Sequence, residues 1–239
     1  MIYLCFVRYA VTLCKQLRIM VLGAKNFRTS ALRQTASMLE ERAVHPTTRM
    51  LDEMMTIVIP TLNEESGIAK VIDELHSLGL CNILVVDGYS QDRTVEVSTR
   101  LGAKTIFQQG QGKTGALLTA IDSVSTPYML VMDGDYTYDA NYIARLASFM
   151  NSYDQVIGAR IPVSNLSMTG LHKFGNAVIT SIFNALMGTN LSDVCSGMYI
   201  IKTSVANQLQ LVSSGFDLEA EIAAKVASMG SLTEVGINN

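Results

Sequence analysis

The sequence is poor in the residues that build metal or disulfide frameworks. Four cysteines (Cys5, Cys14, Cys81, Cys195) and three histidines (His45, His76, His172) are scattered over 239 residues without C-x-x-C spacing. That excludes a zinc motif and a disulfide scaffold, and it fits a reducing compartment. With 4 prolines, 17 glycines and no self-similarity at periods of roughly 20–50 residues, collagen-like, low-complexity and solenoid architectures are excluded as well. Long apolar runs are also missing. Residues 1–22 are interrupted by Arg8, Lys15 and Arg18, and the uncharged stretch 174–192 carries Asn176, Thr180, Asn184, Thr189 and Asn190. Neither offers the ~20 mostly apolar residues of a membrane span, so both read as amphipathic helices.

What is present is ample apolar material, 49% hydrophobic against 16% charged, enough to bury the core of one sizeable domain or two small ones. The formal net charge of −3 conceals an asymmetry: residues 1–53 hold eight Lys/Arg against four Asp/Glu, and residues 54–239 hold ten against seventeen. An acidic body is a poor partner for a nucleic-acid backbone and a better one for a cation with a metal-bound substrate. The basic residues 1–53 read as an extension outside the domain: a targeting segment, a membrane-surface helix, a disordered arm, or residues upstream of a true start at Met54 or Met55.

From Met54 onward short β-branched runs alternate with helix-period segments. Strands are expected at residues 56–60, 82–87, 104–108 and 128–133, and helices at 66–78, 94–101 and 113–121. Strands that are apolar throughout and joined by helical crossovers imply an α/β fold, Rossmann-like, with a mostly parallel sheet flanked by helices on both faces. Later segments extend the pattern: a strand at 155–160, a helix at 173–187, a strand at 198–201 and a helix ending near Met229. Ligands in such sheets bind beyond the carboxyl ends of the strands.

Those ends are acidic. They read Pro60-Thr61-Leu62-Asn63-Glu64-Glu65, Asp87-Gly88-Tyr89-Ser90-Gln91-Asp92 and Met132-Asp133-Gly134-Asp135. Each acid alone has an ordinary use as a helix cap or turn former, and Asp92 before Thr94 is one such case. Three strands delivering carboxylates to one rim is another matter, because the charges repel unless a cation or a donor-rich ligand compensates them. Asp133 and Asp135, on either side of Gly134, suit one hard divalent cation that shares its shell with substrate phosphates. A calcium loop is excluded, since counting from Asp133 places Tyr138 where glycine belongs and Ala144 where the bidentate glutamate belongs. A P-loop at Gly112-Lys113-Thr114 is excluded because Phe107 stands at the first glycine position. Lys113 at a helix start suits an anionic group, although a plain helix start remains open. Cys195 reads as an inert structural thiol and His172 as a surface residue.

In order, Pro60-Thr61-Leu62-Asn63-Glu64, Val86-Asp87-Gly88-Tyr89-Ser90, Gly112-Lys113-Thr114-Gly115-Ala116, Asp133-Gly134-Asp135, Ile157-Gly158-Ala159-Arg160 and Asp193 to Gly197 resemble the motif series of inverting glycosyltransferases with a GT-A fold, nearest to dolichyl- or polyprenyl-phosphate sugar transferases. The resemblance implies a GT-A domain over residues 54–239. It also implies a nucleotide-sugar donor (GDP-mannose or UDP-glucose), Mg²⁺ or Mn²⁺, a polyprenyl-phosphate acceptor, and peripheral contact with the cytoplasmic face of a membrane. It places Pro60, Leu62, Glu64, Val86, Asp87, Gly88, Lys113, Asp133 and Gly134 at the nucleotide, Asp133 and Asp135 at the metal, and Arg160, Lys173 and Ser196 at the acceptor phosphate. Asp133, Asp135 and Arg160 would carry catalysis. This sequence departs from the family at Thr137, where relatives often have glutamine. It departs again at Glu234-Val235-Gly236-Ile237, where they run through Glu-Val-Pro-Ile-x-Tyr into basic, membrane-contacting helices; the acceptor side is therefore expected to be short. A phosphate acceptor is already ionised at neutral pH, whereas a sugar hydroxyl would call on Asp193 or Asp217 as base. The alternatives are a transferase acting on a soluble or polysaccharide hydroxyl, and an inactive nucleotide-binding homologue.

Overall fold

Ile57, Val58 and Ile59 are fully buried side by side, which requires apolar cover on both faces of the strand that carries them. A computed structural model supplies that cover; the residues it describes are 46–161, 170–213 and 217–238, with the side chains of 170–174 excepted. The central strands are β1 (Met55–Thr61), β2 (Ile83–Asp87), β3 (Lys104–Phe107) and β4 (Tyr128–Val131). β5 (Gln155–Ile161), β6 (Tyr199–Lys202) and β7 (Leu232–Asn238) complete a seven-stranded sheet of order β3-β2-β1-β4-β6-β5-β7. β1 pairs parallel with β2 and β4, β2 with β3, and β5 with β7, while β6 runs antiparallel to both β4 and β5.

Side chains alternate between two cores. Ile57, Ile59, Ile83, Val85 and Leu130 join one, and Val58, Leu84, Val86, Met129 and Val131 join the other. The first core is covered by α2 (Glu65–Ser77), whose Ile68, Val71, Ile72 and Leu75 recur at helical spacing. α3 (Thr94–Arg100) and α5 (Ile143–Ala147) cover the same face. The second core is covered by α4 (Gly112–Ser123), by α6 (Gly170–Met187) through Phe183, and by α8 (Leu218–Met229); the short α7 (Thr203–Ala206) closes its edge. The sheet order reverses between β2-β1 and β1-β4, so the crevice at the carboxyl ends of β1 and β4 is the topological switch point where a ligand belongs.

One expected boundary needs correction. The domain start placed at Met54 falls inside a packed element: α1 (Thr48–Met54) buries Leu51, and Asp52 Oδ1 accepts the backbone N–H groups of Cys81 and Asn82 at 2.6 and 2.8 Å. The stretch 234–237, where the sequence departs from the family pattern, lies in β7, which pairs with β5 over its whole length. Among the described residues no helix is long and apolar enough to cross a membrane.

Candidate active site

Three loops follow the carboxyl ends of β1, β2 and β4, and each contains one non-glycine residue in the left-handed region: Asn63 (φ 58°), Tyr89 (φ 66°) and Tyr136 (φ 66°). Such conformations persist where the surroundings hold them, and here side chains hold the first two loops together. Asn63 N–H donates to Ser90 Oγ at 2.8 Å, and Gln91 N–H donates back to Asn63 Oδ1 at 2.7 Å. Glu64 N–H donates to Thr94 Oγ1 at 2.8 Å, and Glu65 N–H to Asp92 Oδ2 at 3.1 Å. Asp87, fully buried, takes the backbone N–H and hydroxyl of Ser90 at 2.8 and 2.6 Å and the Thr61 hydroxyl at 3.3 Å. Its carboxylate therefore anchors the floor of the rim from inside. Leu62 is exposed beside Gly88, whose N–H donates to Thr61 O at 2.8 Å, and Pro60 is half-buried. Val86 turns into the second core.

The loop after β4 carries the paired acids. Gly134 is buried against Thr61, and a side chain on Gly67 in α2 would collide with the Gly134 carbonyl, so the loop is pressed onto the first turn of α2. Asp135 is exposed, and its Oδ1 accepts the backbone N–H and hydroxyl of Thr137 at 3.0 and 2.7 Å. Asp133 is half-buried; its Oδ1 lies 2.6 Å from Lys113 Nζ, and that ammonium lies 2.7 Å from Glu219 Oε1. Burial works against the charge of Lys113, but Glu219 and Asp133 outweigh it and hold the ammonium above its usual range. Burial first, then the charges of Asp135, Asp133 and Asp92, push the Glu64 carboxyl above its usual range.

Glu64, Asp133 and Asp135 thus share one unbalanced field at the switch point. The donor set is hard and all-oxygen. Burial, then Asp193 and Glu219, push the nearby Cys195 thiol up to about 12, so no thiolate competes there at neutral pH. Among the described residues no cluster of three or more His, Cys, Asp or Glu is arranged to hold a metal. Mg²⁺ needs only one or two carboxylates and leaves the remaining positions to phosphate or water.

A second polar cluster adjoins the first. The Arg160 guanidinium grips Asp193, with Nε to Oδ2 at 2.6 Å and Nη2 to Oδ1 at 3.0 Å, and it also reaches Cys195 O at 3.2 Å. Asn176 donates to Asp193 Oδ1 at 2.8 Å, and Glu234 of β7 accepts the N–H groups of Ser192 and Asp193 at 2.7 and 3.4 Å. The loop then passes Gly197, whose N–H donates to the buried Tyr138 hydroxyl at 2.7 Å. There is no room for a side chain at Gly197, because a Cβ would fall on Asp133 Oδ2.

The glycosyl transferase family 2 model matches residues 56–210. The chain belongs to this family. It is 35% identical over 186 residues to glycosyltransferase AglJ of Haloferax volcanii, covering 77% of this chain and 61% of that protein. It is 29% identical over 187 residues to a dolichyl-phosphate hexose transferase of the same organism, covering 77% of this chain and 81% of that protein. A third relative there, the low-salt glycan biosynthesis hexosyltransferase Agl6, is 32% identical over 177 residues, 70% of this chain and 43% of that protein. The chain thus spans less than two thirds of AglJ and of Agl6. Glucosyl-3-phosphoglycerate synthase from Mycobacterium tuberculosis, solved with Mn²⁺, UDP-glucose and phosphoglyceric acid, superposes with a TM-score of 0.64 at 18% identity over 81% of this chain and 74% of that one. This likeness shows the fold, which is GT-A.

Within this family 2 domain the structure brings Glu64, Lys113, Asp133 and Asp135 together and sets Arg160, near the end of β5, against the adjoining loop. It turns three of the expected site residues inward: Val86 lies in the core, Asp87 is fully buried with its carboxylate on Ser90 and Thr61, and the buried Ser196 hydroxyl donates to Gly158 O at 2.5 Å. Lys173 lies in α6, with its side chain outside the described residues. A cavity of about 480 Å³ opens at the other end of the sheet, beside Tyr128 and Lys202, away from these acids. Glu219, Glu234, Tyr138 and Gly197 were missed by sequence reasoning. Gly197 and Glu234 stood inside motifs noted for other reasons, and Glu219 follows Asp217 at a helix start.

Gly197→Ala is expected to push the Asp133 carboxylate off its seat at a cost below the ~1–3 kcal/mol of core overpacking, because the displaced group is a side-chain end. Thermal melting with a crystal structure of the variant checks both parts. An unchanged melting temperature with Asp133 in place would show that the loop yields freely.

Proposed function

We propose that this family 2 domain transfers a hexose from a nucleotide sugar to a polyprenyl phosphate, with inversion at the anomeric carbon, at the cytoplasmic face of a membrane. The observation that carries the reading is the loop 193–197, which touches Asp133 through Gly197 and holds Arg160 through Asp193. A donor-side acid and an acceptor-side cation are thereby mounted on one short segment. The relative named dolichyl-phosphate hexose transferase, aligned over most of both chains, supports the choice of acceptor. The uncharged outward residues Ala177, Val178, Ser181 and Ala185 of α6 support a peripheral membrane contact.

Asp133 and Asp135 would hold a divalent cation, Mg²⁺ or Mn²⁺, which supplies Lewis-acid stabilisation of the charge growing on the departing nucleoside diphosphate. The solved relative containing Mn²⁺ and UDP-glucose supports this choice of ion and donor. Pro60, Leu62 and Gly88 frame the nucleotide from the ends of β1 and β2, with buried Asp87 holding the Ser90 loop beneath it, and Lys113 adds positive charge beside the diphosphate. Arg160 orients the acceptor phosphate, which is already largely ionised at pH 7 with a second pKa of about 6 and needs placing more than deprotonating. Asp193 bears on the rival hydroxyl acceptor. As a base it would have to release the guanidinium that grips both its oxygens, so the observed pairing disfavours Asp193 in that role.

The test offers the purified protein a panel of nucleotide sugars with a polyprenyl phosphate, with and without Mg²⁺ or Mn²⁺. A labelled product that partitions into organic solvent and requires the metal is the expected result. A water-soluble glycoside would replace the acceptor, and nucleotide binding without turnover on any acceptor would sink the reading.

A further inference from the structure

Lys113 stands between two carboxylates that come from different parts of the chain. Asp133 follows β4, and Glu219 lies in the first turn of α8. The contacts are nearly equal, 2.6 and 2.7 Å, but the partners are not alike: the Asp133 side chain is 30% exposed and that of Glu219 is 9% exposed. Glu219 is therefore the member that cannot do without a positive neighbour, because a buried carboxylate stripped of its partner keeps its full desolvation penalty. Asp133 can exchange partners, since it faces the rim.

We infer that Glu219 is a positioning residue that provides the Lys113 ammonium with a second seat, taking it up when a divalent cation engages Asp133. The inference rests on the reading above that Asp133 and Asp135 hold such a cation with a nucleoside diphosphate. An ammonium on Asp133 Oδ1 occupies the atom a metal would use and repels any cation arriving at the same carboxylate. The other oxygen gives little relief, because Oδ2 lies against Gly197. Lysine suits the exchange: its compact head has three rotatable donors on a flexible stem, and a short swing toward Glu219 keeps its charge in the site for the diphosphate. With Glu219 neutralised, Lys113 would close on Asp133 alone and compete with the metal. A structural role for Glu219, such as favouring the N-terminus of α8, predicts no such competition.

The experiment measures Mn²⁺ retention by electron paramagnetic resonance on the full chain with UDP or GDP present, comparing wild type with Glu219→Gln, Lys113→Gln and the double variant. Thermal melting of each confirms that it is folded. Glu219→Gln is expected to bind Mn²⁺ roughly tenfold more weakly, equivalent to about 1.4 kcal/mol. The double variant should return to the affinity of Lys113→Gln, since the competitor is gone, and Glu219→Asp, which keeps the charge, should stay near wild type. Wild-type affinity in Glu219→Gln, or a double variant as weak as Glu219→Gln, overturns the inference while leaving the metal site intact. If wild type retains no Mn²⁺ with either nucleotide, the metal reading fails first and the inference falls with it.

Discussion

Asp135→Ala is expected to cut sugar transfer by about 10²–10³-fold or more, the loss typical when one preorganised charge-stabilising contact is removed. The fold should remain intact. Asp135 is exposed, and its only hydrogen bonds to described residues are those from Thr137, two positions away. Losing them costs about 1 kcal/mol each at most. Against that loss, removing the charge relieves Glu64, whose carboxyl is held above its usual range by burial and then by Asp135. The two effects oppose, so the melting temperature should move by no more than ~2–4 °C. Asp133→Ala is a less clean probe, because it also strips Lys113 of one of its two partners. The measurement pairs turnover with melting and Mn²⁺ binding in the presence of nucleotide. Retained turnover in a folded Asp135→Ala protein would remove the metal from the mechanism.

The parts of the fold visible in the sequence are those where one local signal dominates. Ile57-Val58-Ile59 and Leu84-Val85-Val86 announce buried strands because both faces of the sheet are covered. β7 escaped because Leu232 to Asn238 is mostly half-buried and carries Gly236, a residue that weakens a strand signal. The expectation taken from relatives then pointed to a proline at that position instead. α1 escaped because Thr48–Met54 buries only Leu51, and its purchase on the domain comes through Asp52 and residues some 30 positions away. The same division holds at the site. Asp133, Asp135, Lys113 and Arg160 were legible as charged residues at strand ends or helix starts. Their partners were not: Glu219 meets Lys113, and Gly197 meets Asp133, only after β6 and α8 have packed. Lys113 changes meaning on that account, from a free cation beside an anion to a cation shared by two acids. Thr137, read as a departure where relatives often have glutamine, donates its hydroxyl to Asp135.

Arg160→Ala is expected to be the most destabilising single change at the site, and that alters how the acceptor hypothesis must be tested. The Arg160 and Asp193 side chains are 18% and 2% exposed, and their pairing is bidentate. Truncating the arginine leaves a buried carboxylate whose remaining side-chain donor is Asn176; breaking such a pair costs about 3–5 kcal/mol. A fall in melting temperature on the order of 10 °C should follow. Loss of acceptor use in that variant would be uninformative by itself, because the loop that also seats Asp133 would be disturbed. The decisive comparison uses Arg160→Lys, which keeps the charge but not the planar fork, together with Arg160→Ala/Asp193→Ala, which leaves no unpaired charge. The double variant should regain part of the lost stability. In both, the KM for polyprenyl phosphate should rise by roughly tenfold or more, the scale of losing one charge-assisted hydrogen bond, while the Kd for the nucleotide stays near wild type. Equal losses on both substrates would put Arg160 on the donor side. An unchanged acceptor KM in the stable variants would reduce the arginine to a clamp that holds the Asp193 loop in place.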